Sequence, residues 1–133
     1  NGNMTRWFNA TPDDCHYARM STAWGAVLDV DNVTRNGPEN IRIDVPTIGA
    51  NYTVGVHHYA NGAGRIASIK VYCGPGTVPV STFTSTAMAG TSTGNCTSNS
   101  FWRVAQITAD AGGGCSVLPI NSITTSTNAC NNY

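Results

Sequence analysis

NYTVGVHHYA, residues 51 to 60, alternates from end to end: Tyr52, Val54, Val56 and His58 fall on one side, and Thr53, Gly55, His57 and Tyr59 on the other. A period of two is the signature of a strand with one face on a core. The turn NGAG follows at 61 to 64. RIASIKVYC then runs from 65 to 73, with Ala67, Ile69, Val71 and Cys73 opposed to Ile66, Ser68, Lys70 and Tyr72. Strand, tight Gly turn and strand predict a hairpin over these residues.

Working outward, the same punctuation recurs at short intervals. AVLDV (26 to 30) reads as a short strand. ENIRIDV (39 to 45) places Ile41, Ile43 and Val45 on a half-buried face opposite Arg42 and Asp44. TVPVSTFTS (77 to 85) is a strand candidate whose Pro79 suits a sheet edge, FWRVAQITA (101 to 109) is a strong strand, and CSVLPINSITT (115 to 125) forms one more. Residues 86 to 100 lack periodicity and read as a long Thr/Ser-rich loop that Cys96 staples, and 115 to 133 as a C-terminal strand and tail. In the aromatic and acidic segment 1 to 24, PDDCHYARMSTAW holds at most one helical turn, begun by Pro12 and Asp13. Many short strands with Gly, Pro and Asn turns predict one all-β domain over 1 to 133, an antiparallel β-sandwich.

Composition narrows the function. Seven basic residues balance seven acidic ones, so the chain has no electrostatic footprint for nucleic acid or an anionic membrane. No stretch is long and apolar enough to span a bilayer as a helix. By contrast, 17 Thr, 10 Ser and 14 Asn favour strands and turns over helices. Cys15, Cys73, Cys96, Cys115 and Cys130 are too widely spread for a zinc site, so they read as disulfide candidates: two bridges in one of three pairings, with one cysteine left over. That points to an oxidising, extracellular or cell-surface setting. Five N-glycosylation sequons, at Asn3, Asn9, Asn32, Asn51 and Asn95, fit the same setting. Asn1 in place of Met suggests a processed or trimmed product.

LDVDNVTRNGPENI, residues 28 to 41, gathers three of the seven acidic residues. Asp29, Asp31, Asn32 and Glu39 around a Gly37-Pro38 turn offer the oxygen ligands calcium takes, although without the spacing of an EF-hand loop. The same residues also populate ordinary polar turns. His57 and His58 face opposite sides of a strand and cannot act as a simple metal pair. Ser and Thr are plentiful without a Gly-x-Ser-x-Gly elbow, and Cys15-His16 lack a strand-to-helix context. The carboxylates Asp13, Asp14, Asp29, Asp31 and Glu39 could in principle serve glycoside hydrolysis, but any soluble domain offers as many, and the chain reads as a non-enzyme. Trp7, Phe8, Tyr17 and Trp24 lie close together in sequence. They form either a core plug or an aromatic surface for glycan, with Trp7, Tyr17 and Trp24 as the contact residues.

RWFNATPDDCHYARMSTAWG, LDVDNVTRNGPENI, NYTVGVHHYANGAG and FWRVAQI resemble, in that order, successive blocks of a family of secreted bacterial surface domains common in myxobacteria. The family blocks run approximately W-F-x-x-x-D-D-C-Y, L-D-x-D-D-x-x-G-x-G-P-E-N-I, Y-T-V-x-V-H-Y-Y and F-W-x-V-A. The resemblance covers about residues 6 to 107 and implies a β-sandwich, with calcium held at Asp29, Asp31 and Glu39 and Asn32 standing where a second Asp is usual. Arg35, Asn36 and His58 depart from the pattern. So does the start: a D-L-D-L-H-type strand usually precedes the W-F block, so either the chain is a fragment lacking the first strand of the sandwich, or the domain is complete in a different way, or a neighbouring chain donates that strand. The family has no settled function. Two readings follow: a surface module adhering to glycan or extracellular matrix, calcium-stabilised, or a structural subunit that shares strands with copies of itself in a filament.

Overall fold

The computed structural model describes residues 14–32, 37–59, 64–89 and 98–124. These fall into two compact units, one up to Pro46 and one from Thr47 on. Every strand pairing is antiparallel, and no helix occurs among the described residues, so the chain is all-β.

In the first unit β1 (Ala26–Val30) pairs with β2 (Asn40–Ile43), in the register Ala26↔Ile43 and Leu28↔Ile41. On its other side β1 receives the chain that precedes it. Leu28 N–H donates to the Met20 carbonyl at 2.7 Å, and Ala26 N–H donates to Thr22 Oγ1 at 2.9 Å. Gly25, at φ 93°, turns the chain between them in a conformation that side-chain-bearing residues rarely adopt. Ala26 and Leu28 are buried. The helical turn expected within 12 to 24 is absent over 14–24. Thr22 and Gly25 spend their hydrogen-bonding and conformational freedom on a hairpin turn instead, and Pro12 and Asp13 lie outside the described residues. The half-buried face expected of 39 to 45 is also reduced to Ile43. Ile41 and Val45 are exposed, because β2 is the outer strand of a two-stranded ribbon and Val45 lies beyond its end.

The second unit contains β3 (Asn51–His57), β4 (Ser68–Val71), β5 (Ser81–Thr84), β6 (Phe101–Ala109) and β7 (Cys115–Ile123). β6 lies between β3 and β7, and β4 pairs with β5. The hairpin expected between 51–60 and 65–73 therefore does not form. β6, apolar along most of its length, takes β3 on one edge and β7 on the other. β4 takes β5, so that Ile69 and Phe83 pack together with Val54, Val56, Ala67, Val117 and Ile123 around buried Met88, Trp102, Val104 and Ala105.

The alternation itself holds: Ala67, Ile69 and Val71 turn inward, Ile66 and Tyr72 outward. Val104 is the extra residue of a bulge opposite Val54 and Gly55, which lets Val104 and Ala105 both join the core. Of the loop expected over 86 to 100, Met88 belongs to the core and bridges Arg65, and 90–97 lie outside the described residues.

A disulfide joins Cys73, just after β4, to Cys115, the first residue of β7, with Cα atoms 5.7 Å apart. Beside it Gly74 (φ 68°) and Gly113 (φ 83°) meet backbone to backbone. A Cβ on Gly74 would lie 2.8 Å from the Gly113 carbonyl oxygen. Closing a loop across a separation of 42 residues is worth about 4 kcal/mol on the chain-entropy model. Cys115→Ser should therefore lower stability by roughly 2–4 kcal/mol in urea unfolding. Gly74→Ala should cost more than Gly49→Ala. Both residues have positive φ, but only Gly74 meets a carbonyl, so equal losses would show that the close approach carries no energy.

Candidate functional site

The acidic turn connects β1 to β2, and its described residues divide into two sets. Asp29 occupies the irregularity between the Leu28↔Ile41 and Val30↔Asn40 pairs. Its Oδ2 accepts from Asn40 Nδ2 at 2.6 Å and its Oδ1 from Arg42 Nε at 3.0 Å. Arg42 also pairs with Asp44. The Asp44 and Asp29 carboxylates hold the Arg42 guanidinium further into its cationic form. Asp29 is thus a cross-strand anchor for β2, its charge met by arginine. The pair is largely exposed, so its value lies in fixing register more than in stability.

On the other flank, Glu39 meets Asp31 and Asn32. Burial pushes the Glu39 carboxyl above the usual range. A hydrogen bond from the Asn32 backbone opposes this, and the Asp31 charge adds to it. The Asn32 side chain lies in the space that a Cβ on Gly37 would occupy, which is why a glycine stands there. Asp31, Asn32 and Glu39 are therefore brought together and Asp29 is tied elsewhere. Among the described residues no group of three or more His, Cys, Asp or Glu assembles in a metal-binding arrangement. Gly37 was read from sequence only as part of the turn, and the bond from Asn40 to Asp29 was not foreseen. Arg42 was placed only on a polar face, although its alternation with Asp44 already carried the signal for a charged pair.

The aromatic candidates sit on tight turns. Reciprocal bonds, His16 N–H to the Arg19 carbonyl at 3.1 Å and Arg19 N–H to the His16 carbonyl at 2.8 Å, close a two-residue turn with Tyr17 at its tip. Tyr17 is 52% exposed, and the His16 ring stands edge-on to it at 5.5 Å. Trp24 is half-buried in the Thr22–Ala26 turn. Trp7 and Phe8 lie outside the described residues.

The remaining candidates separate by environment. His58 Nδ1 bonds the Met88 carbonyl at 3.2 Å, and since a carbonyl only accepts, that nitrogen carries the proton. His57 meets the Tyr59 ring edge-on at 6.1 Å, on the opposite face. Cys15, expected as a disulfide candidate, is a half-buried free thiol whose Sγ lies 3.9 Å from the Met20 carbonyl. Burial pushes its pKa up, which keeps it in the thiol form at neutral pH. Cys73 and Cys115 form the disulfide already described, while Cys96 and Cys130 lie outside the described residues. Of the sequon asparagines, Asn51 is exposed and accepts from the Thr108 hydroxyl at 2.7 Å, Asn32 is half-buried, and Asn3, Asn9 and Asn95 lie outside.

The Glu39 environment has a pH consequence. Its folded pKa is raised, so its contribution is most favourable when the carboxyl is protonated at low pH and is lost as pH rises through the folded pKa. In a chelated sample Glu39→Gln should raise the Tm at neutral pH. The gain should shrink as pH falls through the raised folded pKa and be gone below 4.5, the ordinary value for this carboxyl. A variant less stable than the parent at neutral pH would show that the ionised carboxylate is needed by the fold.

Comparison of the chain with known protein families, with curated proteins and with solved structures returned no match.

Proposed function

We propose that the protein is a non-enzymatic module of an extracellular or cell-surface assembly that binds glycan or matrix through aromatic rings displayed on rigid turns. The observation that carries this reading is Tyr17. A large ring more than half exposed, at the tip of a turn closed by two backbone bonds, loses little conformational entropy on contact and offers an apolar face with a polar end. Trp24, in the next turn along the chain, is the second contact of the same reading. The Cys73–Cys115 disulfide fits an oxidising environment, and among the described residues no helix is long and apolar enough to cross a membrane. The balanced charge makes nucleic acid a poor partner.

Calcium enters the reading through Asp31, Asn32 and Glu39. Two carboxylates and a carboxamide fall short of the six to eight oxygens calcium takes, so backbone carbonyls and water would complete the shell and binding would be weak, in the about 0.1–1 mM class of extracellular modules. Such binding would replace the Asp31–Glu39 repulsion with a shared cation. The second reading, a filament subunit, depends on the edges of the sheet, which are described below.

A glycan and matrix array probed with the full chain tests the main reading. Tyr17→Ala should leave the chain folded and weaken a positive signal about tenfold, the loss of roughly 1.4 kcal/mol of contact energy. Undiminished binding by that variant, or no ligand on the array, would remove the proposal. For calcium, a thermal shift on adding the ion that disappears in Glu39→Gln is the expected result. No shift in the parent protein would leave the turn as polar punctuation.

A further inference from the structure

The two outer edges of the three-stranded sheet differ in kind. β7 is blunted. It carries Pro119, which has no N–H to offer. Opposite Val104 it also inserts Ile120 and Asn121, the latter at φ 45°, so its edge is both interrupted and twisted. β3 has none of these devices. Its seven residues, NYTVGVH, include no Pro, no Lys, no Arg and no carboxylate, and the bulge on its inner side belongs to β6. The strands outside this sheet, β1, β2, β4 and β5, are each four or five residues long, and short edges are themselves a protection.

The register states which backbone groups of β3 point outward. Ala109 N–H donates to the Ala50 carbonyl and His58 N–H to the Ser100 carbonyl, so the even-numbered residues turn their backbone toward β6. By alternation Asn51, Thr53 and Gly55 turn theirs away. Among the described residues no strand pairs with that side.

We propose that the outer edge of β3 is the interface of a homodimer, in which β3 of one copy pairs antiparallel with β3 of a second around a two-fold axis at Thr53. The set Asn51, Thr53 and Gly55 maps onto itself about that axis. Thr53 meets Thr53 of the partner subunit, and Asn51 meets the partner's Gly55, where the missing side chain leaves room for the carboxamide. On the other face Tyr52 meets the partner's Val54, in the closer, non-hydrogen-bonded spacing where an aromatic and a β-branched side chain pack well. No ionised side chain on β3 opposes its own copy, because the strand has no Lys, Arg, Asp or Glu. The result is one continuous sheet, β7-β6-β3-β3-β6-β7. Each copy uses the same edge and both ends are the blunted β7, so the assembly closes at two instead of growing into a filament. This inference stands apart from the aromatic-turn reading, and either can fail without the other.

The test is the oligomeric state of the full chain by sedimentation equilibrium across a concentration series, with amide hydrogen exchange read at Asn51, Thr53 and Gly55. A reversible dimer is expected, in which those amides gain protection as concentration rises. Thr53→Lys sets two like charges across the axis at an exposed position, and Thr53→Pro removes an outward N–H that only the dimer uses. Each should raise the dimer Kd about tenfold or more while leaving the monomer folded. If the proline variant misfolds, the lysine variant alone decides. Leu118→Lys, on exposed β7, should have no effect. A monomer at every concentration overturns the proposal, whether the three amides exchange freely or are protected throughout by the chain's own residues. A dimer insensitive to Thr53→Lys, or one dissociated by Leu118→Lys, overturns it as well.

Discussion

β6 is buried on both faces over much of its length, and the second unit depends on that. Phe101, Trp102, Val104, Ala105 and Ala109 are withdrawn from water, and a strand so enclosed must satisfy every backbone group by pairing on both edges. β3 and β7 are recruited for that reason. The bulge at Val104 turns two successive residues to the core and places the indole of Trp102 where its Nε1 donates to Asn121 Oδ1 at 3.0 Å. Asn121 is held at φ 45° on β7, so the acceptor that satisfies the buried indole is a side chain carried on irregular backbone.

A second constraint follows from the first. With β6 claimed by β3 and β7, β4 is left to β5, and their ribbon contributes Ile69 and Phe83 to the shared core. Ser85 ends it by accepting from Ala67 N–H at 2.9 Å through its hydroxyl. The disulfide and the Gly74–Gly113 approach then fix the end of β4 to the start of β7, elements 42 residues apart in sequence. Among the described residues the two outer edges of that sheet then differ, β7 carrying Pro119 and the irregular Asn121 and β3 carrying neither device.

The first unit obeys a different economy, that of a charge-poor chain spending its few ions on register. Arg42 joins Asp29 and Asp44 on the exposed side of a short ribbon, while Glu39, itself exposed, lies beside Asp31 and accepts from the Asn32 backbone. Position within the turn therefore separates the acidic residues by role: one neutralised by arginine, two brought near each other.

Residue chemistry in the sequence was enough for the all-β class, for AVLDV and FWRVAQITA as strands with their observed limits, and for the two-sided character of 51 to 59, because side-chain direction in a strand follows from alternation alone. It also placed His57 and His58 on opposite faces, but it carried the strand of 77 to 85 through Pro79, whereas β5 begins only at Ser81. Pairing was not legible there. NGAG offered a local hairpin, and the choice of β6 over β4 as the partner of β3 came from a non-local demand, the burial of Trp102 and Val104. The partition of Asp29 from Asp31 and Glu39 was hidden for the same reason, since it follows from Arg42 arriving across the ribbon. Local alternation determined what each segment is. Only tertiary structure, by satisfying buried backbone and charge between distant segments, decided which neighbour each one has.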